Sequence, residues 1–218
     1  MGRPFFRIFW FLFGWGVFRL IVFLRRQGPH LPKGPVLLVP NHCSLMDPVV
    51  VQTTTWRHIS YMMTTEFYDL PAFRWFFKAW GAIPVREGRG NRGALSAASE
   101  ALRAGRTVAI YPEGGIARDG RIKRFHPGLA AIAEAARVPV VPVAIVGTFE
   151  AYPRHAARPK LFKKVIVRYG APIPPPDLDG DDTTRRAKLR AYTERVREAV
   201  IEMLEPRQRP LPSPALTA

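Results

Sequence analysis

Short apolar runs alternate along the chain with longer stretches of helical periodicity, beginning near residue 36. Aliphatic runs bounded by glycine, proline or polar positions are typical of buried strands. When such strands alternate with amphipathic helices, the pattern predicts an α/β fold, here a single domain with a mixed, largely parallel sheet flanked by helices. The predicted strands cover residues 36–39, 59–63, 82–85, 107–111, 140–146 and 164–169.

The helical patterns fall between these strands and after the last of them. The final helix has the clearest apolar face, and we expect this face to cover one side of the sheet. Its members recur at helical spacing: Leu189, Tyr192, Val196, Val200 and Met203. The predicted helices cover residues 48–55, 71–79, 93–104, 128–136 and 184–204.

Residues 5–24 form the most aromatic and apolar stretch of the chain. The stretch is about long enough to cross a hydrocarbon core of roughly 30 Å, but Arg7 and Arg19 near its ends favour a helix that lies in the interface. Three basic residues follow: Arg25, Arg26 and Lys33. The apolar stretch predicts a membrane-docking helix over residues 1–27. By the positive-inside rule, the basic residues after it place the rest of the protein at the cytoplasmic face of the cell membrane, where it is peripheral or monotopic. An ordinary amphipathic core helix is the alternative.

Chain length and proline content give the remaining boundaries. With 218 residues, the chain is long enough for one domain with a buried core and too short for two. We assign residues 28–205 to that domain. Prolines recur from Pro206 onward, and they predict a disordered tail over residues 206–218.

The charge balance is strongly basic, with 33 Lys and Arg against 17 Asp and Glu and a formal net charge of +16. This excess points to an anionic partner such as lipid headgroups, phosphorylated substrates or nucleic acid. Nucleic acid is the weakest of these, because no strand alternates basic and aromatic side chains as an RNA-recognition sheet does.

A candidate for proton-transfer chemistry lies where the first predicted strand ends. His42 and Asp47 follow this strand at a spacing of five residues. A regular helix would leave the two side chains roughly 140° apart, so a strand-to-helix turn must bring them together. The carboxylate can then hold one ring nitrogen and leave the other to accept a proton. A satisfied surface histidine near a helix cap is the alternative.

Two further strand ends carry candidate residues at the same edge of a parallel sheet. Glu113, Gly114 and Gly115 follow the strand at 107–111, and the two glycines let the backbone approach a ligand. A dense basic loop comes next and can hold a phosphate, although a solvated loop is the simpler interpretation. Its members are Arg118, Arg121, Lys123, Arg124 and His126. Arg86 directly follows another predicted strand, at 82–85.

Two weaker signals have simpler explanations. Cys43, beside His42, is a candidate nucleophile, but a small buried side chain in the turn is favoured; as the single cysteine it excludes an intrachain disulfide. Gly88, Gly90 and Gly93 fit G-x-G-x-x-G, which would indicate a nicotinamide-dependent enzyme. The preceding strand contains a proline and the loop is highly charged, so a flexible loop is favoured.

Four blocks, taken in order, resemble those of the glycerolipid acyltransferase family, the group that contains 1-acylglycerol-3-phosphate acyltransferases. They span roughly residues 36–146. A His-x-x-x-x-Asp block joined to a Pro-Glu-Gly block about seventy residues later makes the resemblance specific. The blocks read NHCSLMD at 41–47, GAIPVR at 81–86, YPEGG at 111–115 and VVPVAI at 140–145.

The resemblance implies acyl transfer from acyl-CoA or acyl carrier protein to the hydroxyl of a lysophospholipid at a membrane surface, with 1-acylglycerol-3-phosphate as acceptor and phosphatidate as product. It implies that His42 is the general base and Asp47 its orienting partner. Binding of the acceptor's phosphate region is expected of Arg86, Glu113 and Gly114, and by proximity of Gly115, Arg118 and Lys123. No metal and no cofactor beyond the acyl donor are expected, and no nucleic acid partner.

The third block departs from the family pattern, because Gly115 and Ile116 occupy the positions where threonine and arginine are usual. Arg118, two positions later, is a candidate substitute. Three alternatives stay open: acyl transfer to a different lipid acceptor, a non-catalytic lipid-binding protein of the same fold, and a divalent ion held by His42, Asp47 and Glu113.

Overall fold

The structure is a computed structural model that describes residues 22–86, 91–177 and 179–211. Within these ranges, one seven-stranded sheet has the order β1-β7-β6-β2-β5-β3-β4. The strands are β1 (Phe23–Gln27), β2 (Leu37–Pro40), β3 (Ile59–Thr64), β4 (Ile83–Val85), β5 (Thr107–Ala109), β6 (Val140–Val146) and β7 (Lys164–Tyr169).

Strand direction divides the sheet into two parts. The strands from β6 to β4 are parallel to one another, so their carboxyl ends meet at one edge of the sheet. β7 is antiparallel to β6, and β1 is parallel to β7. The amino ends of β7 and β1 therefore lie at the same edge as the carboxyl end of β2. The prediction of a single α/β domain with a mixed, largely parallel sheet is confirmed.

The helices of the described part flank this sheet, and their positions follow the predicted pattern closely. Two short helices of four residues each, α2 and α6, were not predicted, because so short a segment shows no periodicity. The helices are α1 (Asp47–Thr53), α2 (Thr65–Tyr68), α3 (Arg74–Trp80), α4 (Arg92–Arg103), α5 (Gly128–Ala136), α6 (Thr148–Ala151) and α7 (Asp182–Met203).

The central strands are buried on both faces, which explains why their sequences are continuous apolar runs rather than alternating ones. In β2, Leu37 and Val39 belong to the core layer that α4, α5 and α7 cover. Leu38 belongs to the opposite layer, which α1 covers. The predicted apolar face of α7 is confirmed: its three central members are buried and its two outer members pack against the same core.

The predicted amino-terminal helix is wrong at its carboxyl end. Residues 23–27 form the edge strand β1, in which Leu24 is buried while Phe23 and Arg25 are exposed. This alternation is the period of a strand, and parallel pairing with β7 satisfies the backbone. The remainder of the predicted helix, residues 1–21, lies outside the described residues.

The predicted disordered tail is wrong at its start. Pro206–Gln208 forms a 3-10 helix, and Gln208 is only 3% exposed. The Gln208 side chain donates to the Ile145 carbonyl at 3.0 Å, and the backbone carbonyl of Gln208 accepts from the Ile122 amide at 2.9 Å. These contacts hold the chain against the sheet despite its prolines. Residues 212–218 lie outside the described residues.

Across the ranges that the structure describes, no helix combines the length and the apolar character needed to cross a membrane.

Gly147 joins β6 to α6 in a conformation that strongly favours glycine, with a φ of 91°. A Cβ at this position would lie 2.1 Å from the Lys164 carbonyl oxygen at the start of β7. We expect Gly147→Ala to lower the free energy of unfolding by about 3 kcal/mol, because backbone strain of about 1–2 kcal/mol adds to the steric overlap. Urea unfolding measures this loss.

Gly34→Ala is the matched control, because Gly34 has a similar φ of 86° but its Cβ would meet nothing within 4 Å. Its loss should be about 1–2 kcal/mol, from backbone strain alone. Equal losses in the two variants would contradict the predicted overlap with β7.

Candidate active site

The predicted contact between His42 and Asp47 is present. β2 ends at Pro40 and α1 begins at Asp47, so His42 lies on the turn between them. The Nδ1 of His42 is 2.8 Å from Oδ2 of Asp47. The His42 side chain is 15% exposed at the carboxyl edge of the sheet, whereas Asp47 is fully buried. The turn brings together two side chains that a regular helix would hold apart, and it leaves the imidazole partly exposed.

Asp47 is held by donors on both carboxylate oxygens. Oδ2 accepts from the backbone amides of Cys43 and Ser44, each at 2.8 Å, as well as from His42. Oδ1 accepts from the Thr148 hydroxyl at 2.7 Å. The carboxylate accepts a hydrogen bond in each of these four contacts. Nδ1 of His42 therefore carries the proton of this contact, and Nε2 is the nitrogen that can accept another.

Thr148 was not identified from the sequence, although it completes the hydrogen bonding of Asp47. It opens α6, 101 residues after Asp47. Gly147 and the end of β6 bring it to the site. Asn41 strengthens this junction, because its side chain exchanges two hydrogen bonds with the backbone of Ile145 in β6, at 2.7 and 3.2 Å. The only available sequence signal was a polar residue directly after a buried strand.

Cys43 is a buried structural residue, as favoured, because it is 1% exposed. Burial, and secondarily the charge of Asp47, raises the pKa of its thiol well above the ordinary range. The sulfur lies 3.2 Å from the Thr148 hydroxyl oxygen. Since the Thr148 proton is committed to Asp47, the thiol is the donor in this contact. A protonated, buried thiol is unsuited to nucleophilic attack.

Glu113 binds the backbone of the turn that carries His42. Its Oε1 accepts from the His42 amide at 2.8 Å, and its Oε2 accepts from the Lys123 amide at 3.1 Å. The His42 carbonyl in turn accepts from the Ala117 amide at 2.8 Å. Both backbone polar groups of His42 are thus bound by the segment that follows β5. This geometry gives Glu113 a positioning role; direct binding of a phosphate by this carboxylate stays a prediction.

Burial raises the pKa of Glu113 from 4.5 to about 7, while the hydrogen bonds from the His42 and Lys123 amides oppose the shift. The carboxyl group is 6% exposed as a residue, so it has little water to stabilise its charge.

The two glycines after Glu113 differ in their surroundings. Gly114 has a φ of 69°, and a Cβ there would lie 2.9 Å from Nε2 of His126. A Cβ at Gly115 would meet nothing within 4 Å. The turn therefore packs on one side and faces open space at Gly115, where a ligand can approach the backbone.

Tyr111 forms one wall of the site and was not identified as a site residue. Its ring stacks on the His42 imidazole, with centroids 4.1 Å apart and planes at 27°. Such stacking restricts rotation of the imidazole about its hydrogen bond to Asp47. Its sequence signal was an aromatic residue immediately before the Pro-Glu-Gly block.

The predicted cationic residues surround the site at greater distance. Arg118 and Lys123 are exposed on the loop after the glycines, and Lys123 Nζ lies 3.5 Å from the Ile116 carbonyl oxygen. Arg86 is exposed just past β4, three strands from β2, hence about 14 Å away across the sheet. Arg86 and the basic loop therefore lie along one edge, with His42 between β4 and β6.

Neither the divalent-ion site nor the dinucleotide-binding loop considered from the sequence gains support from this geometry. In the described ranges, no group of three or more His, Cys, Asp or Glu side chains is arranged to hold a metal ion. The carboxylate oxygens of Asp47 and Glu113 accept hydrogen bonds from the protein instead. Of the G-x-G-x-x-G pattern, Gly88 and Gly90 lie outside the described residues, and Gly93 lies within α4.

The site thus defines an α/β protein with a partly exposed imidazole, in contact with a buried carboxylate, at one edge of the sheet. Comparison with known proteins gives the family. A family model described as Acyltransferase matches residues 24–146, more than half of the chain, and the chain belongs to this family. The resemblance inferred from the four blocks is confirmed.

Individual relatives show which proteins the chain is similar to. A chloroplastic 1-acyl-sn-glycerol-3-phosphate acyltransferase of Brassica napus is 28% identical over 121 residues, covering 55% of this chain and 35% of the relative. The lyso-ornithine lipid O-acyltransferase of Pseudomonas aeruginosa is 30% identical over 121 residues, covering 55% and 46%. The chain therefore spans a third to a half of the length of these curated relatives.

A solved structure agrees with the fold. The crystal structure of PlsC, the 1-acyl-sn-glycerophosphate acyltransferase of Thermotoga maritima, matches with a TM-score of 0.59 at 25% identity. The match covers 80% of this chain and 71% of that chain.

The raised pKa of Glu113 predicts a pH dependence of stability. Between pH 4.5 and about 7 the folded protein retains a proton that the unfolded chain has released, so stability falls as pH rises through this window. Glu113→Gln removes the titrating group. We expect the free energy of unfolding of the wild type, relative to this variant, to fall by about 3 kcal/mol from pH 4.5 to 7. Denaturant titrations at several pH values measure the difference.

Glu198→Gln, at an exposed position on α7, is the control for loss of a carboxylate. The difference between wild type and this control should stay nearly constant over the same range. A wild-type curve that rises relative to Glu113→Gln would show that Glu113 is ionised throughout.

Proposed function

We propose that this chain is a membrane-associated acyltransferase that moves a fatty acyl group from acyl-CoA or acyl carrier protein to the hydroxyl of a lysophospholipid, with 1-acylglycerol-3-phosphate as acceptor and phosphatidate as product. The observation that carries the proposal is the 2.8 Å contact of His42 with the fully buried Asp47 at the open sheet edge. Membership of the Acyltransferase family supports it.

His42 acts as the general base. Nδ1 donates to Asp47, and Nε2 accepts the proton of the acceptor hydroxyl as its oxygen attacks the thioester carbonyl. A carbon–oxygen ester bond forms and the carbon–sulfur bond breaks. The proton on Nε2 then passes to the departing thiolate, so the imidazole returns neutral. Asp47 remains ionised throughout and stabilises the transient imidazolium.

The glycine turn stabilises the oxyanion that develops on the thioester carbonyl. The open space beside Gly115 gives a carbonyl oxygen access to the backbone, and amide donors at such a turn need no rearrangement during reaction. Lys123 and Arg118 lie on the same loop and add positive charge near the developing anion.

The acceptor phosphate binds between the basic loop and Arg86. These cations lie at the same sheet edge as His42, and the roughly 14 Å from β2 to β4 accommodates a glycerol phosphate headgroup between base and arginine. The protein lies at the cytoplasmic face of the membrane, where the lysolipid is available.

A different lysolipid headgroup is the second candidate. Ile116, at the position where arginine is usual in the family, is 7% exposed and contributes to the interior rather than to the cleft. One relative is named a lyso-ornithine lipid O-acyltransferase, so the family includes acceptors other than 1-acylglycerol-3-phosphate.

Release of free thiol from acyl-CoA tests the function, with lysophosphatidate, lyso-ornithine lipid and neutral lysolipids compared as acceptors. We expect turnover that requires an acceptor and is highest with lysophosphatidate. His42→Ala should lower it by about 10²-fold to 10⁴-fold, because the general base is lost. Preference for lyso-ornithine lipid would instead assign the second acceptor.

His30→Ala is the matched control, since His30 is exposed and distant in the fold from the catalytic turn. It should retain wild-type turnover. Absence of thiol release with every acceptor and with both acyl-CoA and acyl carrier protein donors, despite binding to anionic vesicles, would show a non-catalytic lipid-binding protein.

Thr148→Val provides a separate test of the support behind Asp47. Valine preserves the shape but leaves Oδ1 of the buried carboxylate without its donor. We expect kcat to fall about 10-fold with little change in KM. Thr148→Ser should retain activity, and equal losses in both variants would contradict the role of the hydroxyl.

A further inference from the structure

An apolar tip rises from the loop between α6 and β7. Leu161 and Phe162 are 49% and 64% exposed, and Phe23, the first residue of β1, is 59% exposed beside them. The rings of Phe23 and Phe162 lie 6.3 Å apart. The Phe23 amide donates to the Lys163 carbonyl at 3.1 Å, which ties the two segments together. We call Phe23, Leu161 and Phe162 the apolar tip.

The tip lies at the edge of the sheet that holds His42. β7 starts beside the carboxyl end of β6, and β1 starts beside the amino end of β7. Gly147, directly before Thr148, approaches the Lys164 carbonyl so closely that a Cβ would overlap it. Thr148 donates to Asp47. A short series of contacts, from Lys164 through Gly147 to Thr148, therefore connects the tip to the turn that carries His42.

The Lys, Arg, Asp and Glu positions in the sequence around the tip are all basic. No Asp or Glu occurs from residue 151 to residue 170. Lys160, Lys163 and Lys164 immediately flank Leu161 and Phe162, and all three are exposed. The exposed cations Arg154 and Arg158 precede them. Exposed aromatic and aliphatic side chains among lysines suit the boundary between headgroups and acyl chains of an anionic bilayer.

We propose that the apolar tip and its lysines form an interfacial membrane anchor, separate from residues 1–21, that binds anionic bilayers and holds the catalytic edge against the lipid. The tip projects on a turn in which Phe162 has a φ of 60°, a conformation that residues other than glycine seldom adopt. Projection of apolar side chains from a loop favours insertion into a bilayer over docking of an acidic protein, which needs a groove or an extended face.

A fluorescent probe at the tip tests insertion directly. Phe162→Cys can be labelled selectively with an environment-sensitive dye, because Cys43 is buried. With vesicles of phosphatidylcholine and phosphatidylglycerol, we expect the emission to shift to the blue, to rise severalfold and to be quenched by lipids brominated on their acyl chains. Vesicles of phosphatidylcholine alone should give a weaker response that high salt does not change.

Ala104→Cys carries the control probe, since Ala104 is exposed at the end of α4, which leads to the opposite edge of the sheet. Its emission should stay unchanged. A probe at position 162 that stays water-like while the protein sediments with anionic vesicles overturns the proposal. So does a probe shielded by an acidic carrier protein and not by vesicles.

Neutralising the lysines tests the electrostatic part. The triple variant K160Q/K163Q/K164Q should bind anionic vesicles about 100-fold more weakly in sedimentation, from about 1 kcal/mol per lysine near the surface. R186Q/R190Q/R195Q on α7 removes the same charge elsewhere and should change binding less than about threefold at physiological salt. Equal losses in the two triple variants would show a general charge effect and overturn the anchor.

Different results contradict the proposed anchor and the proposed enzymatic function. Thiol release from substrates dispersed in detergent should be unchanged in the lysine variant, because none of its residues belongs to the site. Normal thiol release with an unresponsive probe contradicts the anchor alone, whereas a responsive probe without thiol release contradicts the proposed function alone.

Discussion

The buried carboxylate of Asp47 is the constraint on which the rest of the site depends. A fully buried charge is very costly unless donors surround it, and Asp47 receives donors from His42, Cys43, Ser44 and Thr148. Two of these are backbone amides, which require the turn after β2 to have one particular shape. The Thr148 hydroxyl comes from the start of α6, directly after β6, which lies on the other side of β2 from β5. The same interactions that compensate the burial also orient the imidazole, so stability and chemistry are coupled at this point.

The segment after β5 is coupled to the same turn by direct contacts. Glu113 and Ala117 bind the amide and the carbonyl of His42, so the segment after β5 determines where the turn after β2 lies. Glu113 is itself buried away from water, and burial raises its pKa to about 7 although two backbone donors and the charge of Lys123 favour the ionised form. The block that begins with Tyr111 therefore holds His42 in place, with the ring of Tyr111 against the imidazole.

The sequence predicted the central elements well because their burial leaves an unambiguous pattern. β6, β7 and α5 have the predicted bounds, since long aliphatic runs and alanine-rich periodicity admit few alternatives. β1 was missed because its exposed arginines resemble the basic flank of a membrane segment. The His42–Asp47 contact could be predicted from local spacing. Thr148 could not, because its role arises from a tertiary contact between distant strands that one sequence does not report.

The reversal of β7 relative to β6 has a consequence for how such a protein can diversify. Because the two strands are antiparallel, their connection returns at the catalytic edge, whereas a parallel crossover would have carried it to the far side. The connection can therefore change length or composition between residues 153 and 159 without altering strand register, since hydrogen bonds hold the chain on both sides of this stretch, at Tyr152 and at Lys160. The stretch beside the exposed Leu161 and Phe162 is in this way free to vary while the contact of His42 with Asp47 stays intact.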